Sequence, residues 1–259
     1  MYAHWCTPCN ALTNEVLETD DAKTMLREAL GLRVNFDTPE GQRLTKRFSV
    51  LNLPTTLVLR YTGEELGRVE GYGGRKEFLD TVRDALAGKL GLDALLERLR
   101  RQPGNVEAQL AVAQALLVRG REAEAYARLK PYLSRGDSHG ADAMRIWGRY
   151  LLRAKKRYVE ASAHFLRAAA IFKGQKSAPE FLYWAAKAFH ERKMRDRAIA
   201  LFTSWIAAKP PSFLPLRYQV DFLVKFNYPV EQCRAGLKLA LQKKPTESWL
   251  HYLAARNER

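Results

Sequence analysis

Four small residues recur along the second part of this 259-residue chain at spacings of 36, 37 and 35. Ala125, Ala161, Ala198 and Cys233 fall into register when "GREAEAYARL", "KRYVEASAHFL", "MRDRAIALF" and "PVEQCRAGL" are aligned. In a stretch rich in helix formers, such a period specifies helical hairpins, none of which can bury its apolar face alone. Each small residue is expected where the two helices of one hairpin press closest. Four positions later a large residue follows every time: Leu129, Phe165, Phe202 and Leu237. Gly120 is expected to make a tight turn and Gly148 a close helix contact. Pro210 and Pro245, 35 residues apart, fall where the second helix of a pair must end. Cys233 reads as a small buried thiol filling a helix contact and is given no function.

Before Gly88 the pattern is different. "LRVNFD" alternates, "TTLVLRY" is β-branched and aromatic, and "YTGEELGRVEGY" has a glycine-centred turn between extended runs. Leu30 to about Val69 is therefore expected to form a strand and then a hairpin. Helical stretches flank it: "CNALTNEVLETD" and "DAKTMLREALG" before, and "GRKEFLDTVRDALAGK" after, the last with Phe78, Val82 and Leu86 at spacings of four. The first half is read as α/β and the second as all-α.

Charge divides at the same place. Residues 1–91 carry 12 Lys and Arg against 13 Asp and Glu, whereas residues 92–259 carry 31 against 15. A basic surface confined to the second part suits an acidic protein, anionic lipid or nucleic acid, or serves solubility alone. Nucleic acid is disfavoured, because the aromatic residues recur at helix-packing spacings and no compact Lys/Arg run is interleaved with them. No run of 18 apolar residues exists, so no membrane span is read from the sequence.

"YAHWCTPC", residues 2–9, is the stretch that carries chemistry. A structural zinc site needs a second CxxC or a histidine pair at ligand spacing, and neither is present. Covalent haem attachment needs His directly after the second cysteine, where this chain has Asn10. Metal is therefore not expected, and dithiol chemistry remains. A cysteine in the first turn of a helix meets unpaired backbone N–H groups and the positive end of the helix dipole, both of which favour thiolate. On that reading Cys6 is the exposed attacking sulfur and Cys9, one turn inward and shielded, resolves the mixed disulfide. Pro8 lets the helix start without wasting a donor, and Trp5 supplies a flat apolar shoulder for a substrate.

Two resemblances organise these motifs. Residues from Tyr2 to Ala87 resemble the thioredoxin superfamily, on "WCTPC", on "NLPTTLVL" with Pro54, on "LRVNFD" for the preceding strand and on Gly71 before the last helix. Residues 105–246 resemble about four tetratricopeptide repeats, with Glu247 to Arg259 as a capping helix. The expected organisation is a thioredoxin-like domain over 1–88, lacking its first strand and helix, then a tetratricopeptide-like solenoid over 92–259. The first resemblance implies a cis bond at Pro54 that exposes the Leu53 backbone to an extended substrate, so Trp5, Thr7, Pro8, Leu53 and Pro54 are the substrate-facing candidates. It places Arg33 where a lysine often lies near the buried cysteine, either tuning the pair or merely at the surface. It also makes the strand into Trp5 a central one. Only Met1–His4 of that strand are present, so the chain is expected to be a shortened version of a longer redox-active protein.

The second resemblance implies an inward face on the first helix of each pair. Gln114, Arg145, Arg149, Tyr183, Lys187, His190 and Arg217 fall there, and Arg145, Arg149 and Arg153 form an i, i+4 ladder. Arginine clusters recognise carboxylates, so an acidic peptide or C-terminal carboxylate is one reading of this face and a merely solvated charge ladder the other. The expected function is a thiol:disulfide oxidoreductase acting on protein thiols and disulfides, with no cofactor beyond the Cys6–Cys9 pair. The alternative is a non-enzymatic repeat scaffold with a vestigial thioredoxin-like appendage. The closest flavour of the family is extracytoplasmic and bacterial, with a cytoplasmic location left open.

Overall fold

The computed structural model describes residues 1–207 and 213–257. It is mostly helical, and it divides into two compact units, Met1–Pro131 and Tyr132–Arg259. Pro210 and the last two residues of the expected capping helix lie outside the described residues.

In the first unit, α1 (Thr7–Leu12) runs on as a π-helical turn over Thr13–Leu17, and α2 (Asp20–Met25) ends in a 3₁₀ turn. Next come α3 (Pro39–Arg47), β1 (Thr55–Leu59), β2 (Glu65–Glu70) and α4 (Arg75–Leu86). The strands pair antiparallel, with Thr55 opposite Glu70, and form the expected hairpin around Gly63 at φ +83°. Phe78, Val82 and Ala85 turn the buried face of α4 to this hairpin, and the core continues through Val58, Leu12, Val16 and Ala22. Gly67 permits the close approach, since a Cβ there would come within 2.7 Å of the Ala85 Cβ.

Two expectations for this unit are corrected. "LRVNFD" is not a full strand. It contributes one parallel bridge, Tyr2 to Asn35, in which the Tyr2 N–H donates to the Val34 carbonyl (3.0 Å) and the Phe36 N–H to the Tyr2 carbonyl (2.7 Å). Its alternation is only partly buried: Val34 and Phe36 are half-buried, whereas Leu32, like Leu30 just before the stretch, is largely exposed, at 76% and 87%. Secondly, α3 lies inside the stretch read as extended. Its signals are local: the Thr38 hydroxyl accepts from the Gly41 N–H (3.0 Å), Pro39 occupies the first turn, and Lys46 and Arg47 complement the dipole at the other end. The α/β reading thus reduces to a two-stranded sheet among helices.

After Gly88 the same unit continues with α5 (Leu92–Arg101), α6 (Val106–Val118) and α7 (Glu122–Leu129). The second unit holds α8 (Ser138–Arg149), which relaxes into a π-helical turn over Tyr150–Ala154, then α9 (Tyr158–Ile171), α10 (Ala178–Glu191), α11 (Arg195–Ala207), α12 (Phe213–Lys225), α13 (Val230–Lys243) and α14 (Ser248–Asn257).

The recurring small residues sit on α7, α9, α11 and α13, all 0% exposed, and the large residue four positions on is buried in each case. Their period has a backbone counterpart. Gly120, Lys156, Lys193 and Asn227, in the turns that precede α7, α9, α11 and α13, all have positive φ, from 52° to 75°. Only the first is glycine. In the second unit Phe165 is wholly buried and stacks with Phe181 and Trp184 at centroid distances of 6.4 and 6.3 Å. Burying such a ring contributes roughly 1.5–3 kcal/mol.

Gly148 makes the close contact that its position implies: a Cβ there would lie 2.4 Å from two Phe165 ring carbons and 2.8 Å from the His164 ring. Because Phe165 is wholly buried and stacked against two other rings, it cannot step aside cheaply. Gly148→Ala is expected to destabilise the chain by about 1–3 kcal/mol, read from the shift in urea midpoint.

Candidate functional site

Cys6 caps α1. Its backbone is extended (φ −90°, ψ 102°), and its Sγ accepts from the Cys9 N–H at 3.2 Å. Thr7 and Pro8 fill the first turn, so the proline costs no helical hydrogen bond. Cys6 and Cys9 are joined in a disulfide. The expected contrast between an open Cys6 and a shielded Cys9 is corrected, since the two residues are 5% and 3% exposed. Tyr2, Phe36 and Leu53 pack against the cluster that Ala3, Cys6 and Cys9 form.

Around this pair Trp5 is 53% exposed, with Pro8 exposed and Thr7 half-buried. The indole is not loose. Its N–H donates to both Asp37 carboxylate oxygens, at 2.9 and 3.1 Å, and its edge meets Phe36. Asp37 escaped the sequence reading because it lies 32 residues from Trp5, in a stretch taken as strand.

The Leu53–Pro54 peptide is cis, Pro54 is buried, and Leu53 touches the cysteine cluster. The bonds around this segment are dense. The Gly71 N–H donates to the Pro54 carbonyl (2.7 Å), the Thr55 hydroxyl to the Asn52 carbonyl (2.7 Å), and the Met1 amino group to the Thr55 carbonyl (2.8 Å). The Leu53 backbone N–H and carbonyl, by contrast, bond to none of the described residues. Arg33 is exposed. It stacks on Tyr2 and reaches the Thr13 hydroxyl at 3.4 Å, so it touches the flank of the helix and not the sulfurs.

Behind the Leu53–Pro54 segment lies an ion cluster that composition and spacing do not announce. The Arg68 side chain is 8% exposed, between those of Glu65 and Glu70 at 14% and 12%. It donates to Glu65 at 2.6 and 2.7 Å, to Glu70 at 3.3 Å and to the Phe48 carbonyl at 2.9 Å, with the Ser49 carbonyl at 3.5 Å. Asn52 donates to Glu70 at 3.3 Å. Burial opposes the Arg68 charge, but Glu65 and then Glu70 hold its pKa above the usual arginine value.

The candidates for a partner face fall in both units. Gln114 is half-buried on α6 of the first. In the second, Arg145 donates to Glu180 at 2.8 Å and also contacts Asp142, whereas the Arg149 guanidinium stands 3.8 Å from Glu180. The Arg149 Nε is buried with no hydrogen-bond partner among the described residues. Arg149, Arg153 and Lys187 all approach the Trp184 ring, at 5.1, 4.9 and 5.8 Å from its centroid. Tyr183 is 5% exposed, beneath Tyr218 and Phe222. His190 packs on Phe226 at 4.4 Å, and Arg217 is half-buried on α12. Burial first, then the positive charges of Arg153 and Lys225, bring the Lys187 amine down to about 7, against a smaller upward pull from Glu191. Cys233 is fully buried, and burial raises its thiol pKa. Among the described residues no group of three or more His, Cys, Asp and Glu is arranged to hold a metal ion, and no helix is long and apolar enough to cross a membrane.

Over 91 residues, 34% of this chain, the sequence is 31% identical to the thiol:disulfide interchange protein DsbD of Yersinia pestis, in strains Pestoides F, Antiqua and Nepal516 alike. The chain spans 15% of the length of those relatives. No family model and no solved structure matches it. The partial likeness and the closed Cys6–Cys9 pair together indicate thiol–disulfide redox chemistry.

The lowered pKa of Lys187 ties the second unit's stability to pH. Between about 7 and the ordinary lysine value of 10.5 the unfolded chain holds a proton there that the folded chain has released. Stability is therefore expected to rise with pH across that window, and below it both states are charged and the penalty is complete. Lys187→Met should raise the urea midpoint at pH 7 and flatten its climb from pH 7 to 9.

Proposed function

We propose that the first part of the chain is a thioredoxin-like domain that exchanges electrons with protein thiols through Cys6 and Cys9, and that the helix pairs after residue 92 are tetratricopeptide-like and recruit its partners. The observation that carries this reading is the closed Cys6–Cys9 disulfide at the start of α1, packed against the Leu53 side chain. The likeness to a thiol:disulfide interchange protein supports it. No cofactor enters the proposal, since the pair itself carries the two electrons.

In one direction a client thiolate attacks Cys6 Sγ, the Cys6–Cys9 bond breaks, and Cys9 leaves as thiolate. A second client thiol then attacks the mixed disulfide, which forms the client's disulfide and leaves Cys6 and Cys9 reduced. Run backwards, the same steps reduce a client. Cys6 is the better leaving and attacking sulfur, because the Cys9 N–H already points at it. The unpaired Leu53 backbone suits an extended client segment laid alongside as an added strand. Trp5, Thr7 and Pro8 border the approach. A compartment outside the cytoplasm, where disulfides form, suits such exchange.

For the second unit we propose an acidic peptide or C-terminal carboxylate as ligand. Arg149 carries this reading: Glu180 engages it only loosely, and it lies beside Arg153 and Lys187 around one indole. The competing view of the whole chain, a scaffold that binds without turnover, draws on one observation, the 5% exposure of Cys6.

Cys6→Ser is expected to abolish reduction of insulin disulfides by the chain, and Cys9→Ser to accumulate a client-linked mixed disulfide visible on a non-reducing gel. Equal rates for wild type and Cys6→Ser would leave only the scaffold. Arg149→Ala should weaken binding of a glutamate-rich synthetic peptide roughly tenfold, about the value of one charge-assisted contact. Unchanged affinity would return the arginine ladder to a solvated face.

A further inference from the structure

We propose that Arg68 is a positioning residue for protein clients: through Glu70 and Asn52, and through the Phe48 carbonyl, it fixes the segment that offers the Leu53 backbone beside the Cys6–Cys9 pair. This rests on the reading of that pair as an exchanging disulfide.

The chain of contacts is continuous. Arg68 on β2 reaches across to the end of α3, where the Phe48 carbonyl accepts at 2.9 Å and the Ser49 carbonyl lies at 3.5 Å. Along its own strand it binds Glu70, and Glu70 accepts from the Asn52 side chain. Asn52 in turn accepts from the Thr55 hydroxyl through its own carbonyl, so residues 48–55 are gripped on both sides of Leu53. All three charged side chains are largely out of water. A planar guanidinium with five N–H donors can serve these acceptors at once, which a lysine ammonium on a flexible stem cannot. Neither Glu65 nor Glu70 touches the sulfurs, so the cluster has no chemical step of its own. What it holds still is a backbone segment near the pair in which the Leu53 N–H and carbonyl stay unbonded among the described residues.

A client with a peptide backbone uses that segment, whereas a small disulfide does not. The test therefore reads a ratio. The reduced chain is mixed with insulin or with hydroxyethyl disulfide, and the two second-order rate constants are compared for wild type, Arg68→Met, Arg68→Lys and Asn52→Ala, with far-UV circular dichroism on each. A docking segment displaced by about 1 Å can cost one to two orders of magnitude in rate. The insulin-to-small-disulfide ratio is accordingly expected to fall about tenfold in Arg68→Met and several-fold in Asn52→Ala, with Arg68→Lys between wild type and Arg68→Met. Asn52→Ala decides the matter should either Arg68 variant fail to fold, because it leaves the ion pairs in place. An unchanged ratio in the folded variants, or an equal fall of both rates, overturns the positioning role. A wild-type chain inert towards both disulfides overturns the exchange reading itself, and this assignment with it.

Discussion

Backbone pairing at the first two residues is what brings the pieces of the candidate site together. Tyr2 exchanges hydrogen bonds with Val34 and Phe36 on one side, and Met1 does so with Thr55 on the other. Ala3, wholly buried between these neighbours, leads directly into Trp5 and Cys6. The disulfide thus meets Phe36 and Leu53, which are distant in sequence, because one short extended segment is stitched to the Val34–Phe36 stretch and to Thr55 at the start of β1. The β-hairpin, α4 and the Arg68 cluster then support the Leu53 side of this arrangement from behind. Each backbone bond contributes modestly to net stability, about 1 kcal/mol, yet losing one would leave a buried polar group unsatisfied, and that costs more.

How much of this could be read in advance depends on how local each signal is. The helix pairs were legible because a small residue and a large one four positions later must recur wherever two helices press together, and Ala161 with Phe165 or Ala198 with Phe202 state the rule within five residues. The hairpin was legible from β-branched residues around a glycine turn. The two cysteines declare themselves by spacing alone. The helix over Pro39–Arg47 was hidden by its extended neighbours, although Thr38 and Pro39 announce a helix start to a reader not already committed to a strand.

Features made by long-range contact were not legible. Trp5 with Asp37 and Arg68 with Phe48 join residues 20 or more apart, and no spacing rule connects them. The burial of Cys6 belongs to the same class, since Phe36 and Leu53 arrive from other segments. The hairpin turns were half legible. Gly120, and to a lesser degree Asn227, belong to residue types that favour the left-handed region, but Lys156 and Lys193 adopt the same backbone without advertising it, at a modest steric cost to each turn. Within the second unit the charge ladder proved less free than its sequence suggested, because Glu180 already answers part of it.

The near-complete cover over the Cys6–Cys9 bond has a consequence for traffic. A disulfide lying open to solvent equilibrates with whatever thiols are dissolved around it, and its oxidation state then merely reports the surrounding pool. Here both cysteines are buried, and Tyr2, Phe36 and Leu53 pack against the cluster they form with Ala3. On the proposed chemistry, a visitor must bring enough binding energy to shift an aromatic or aliphatic side chain before sulfur can meet sulfur. The cover would act as a toll on casual encounters, slowing leakage of electrons to small molecules while admitting a macromolecule that has already docked.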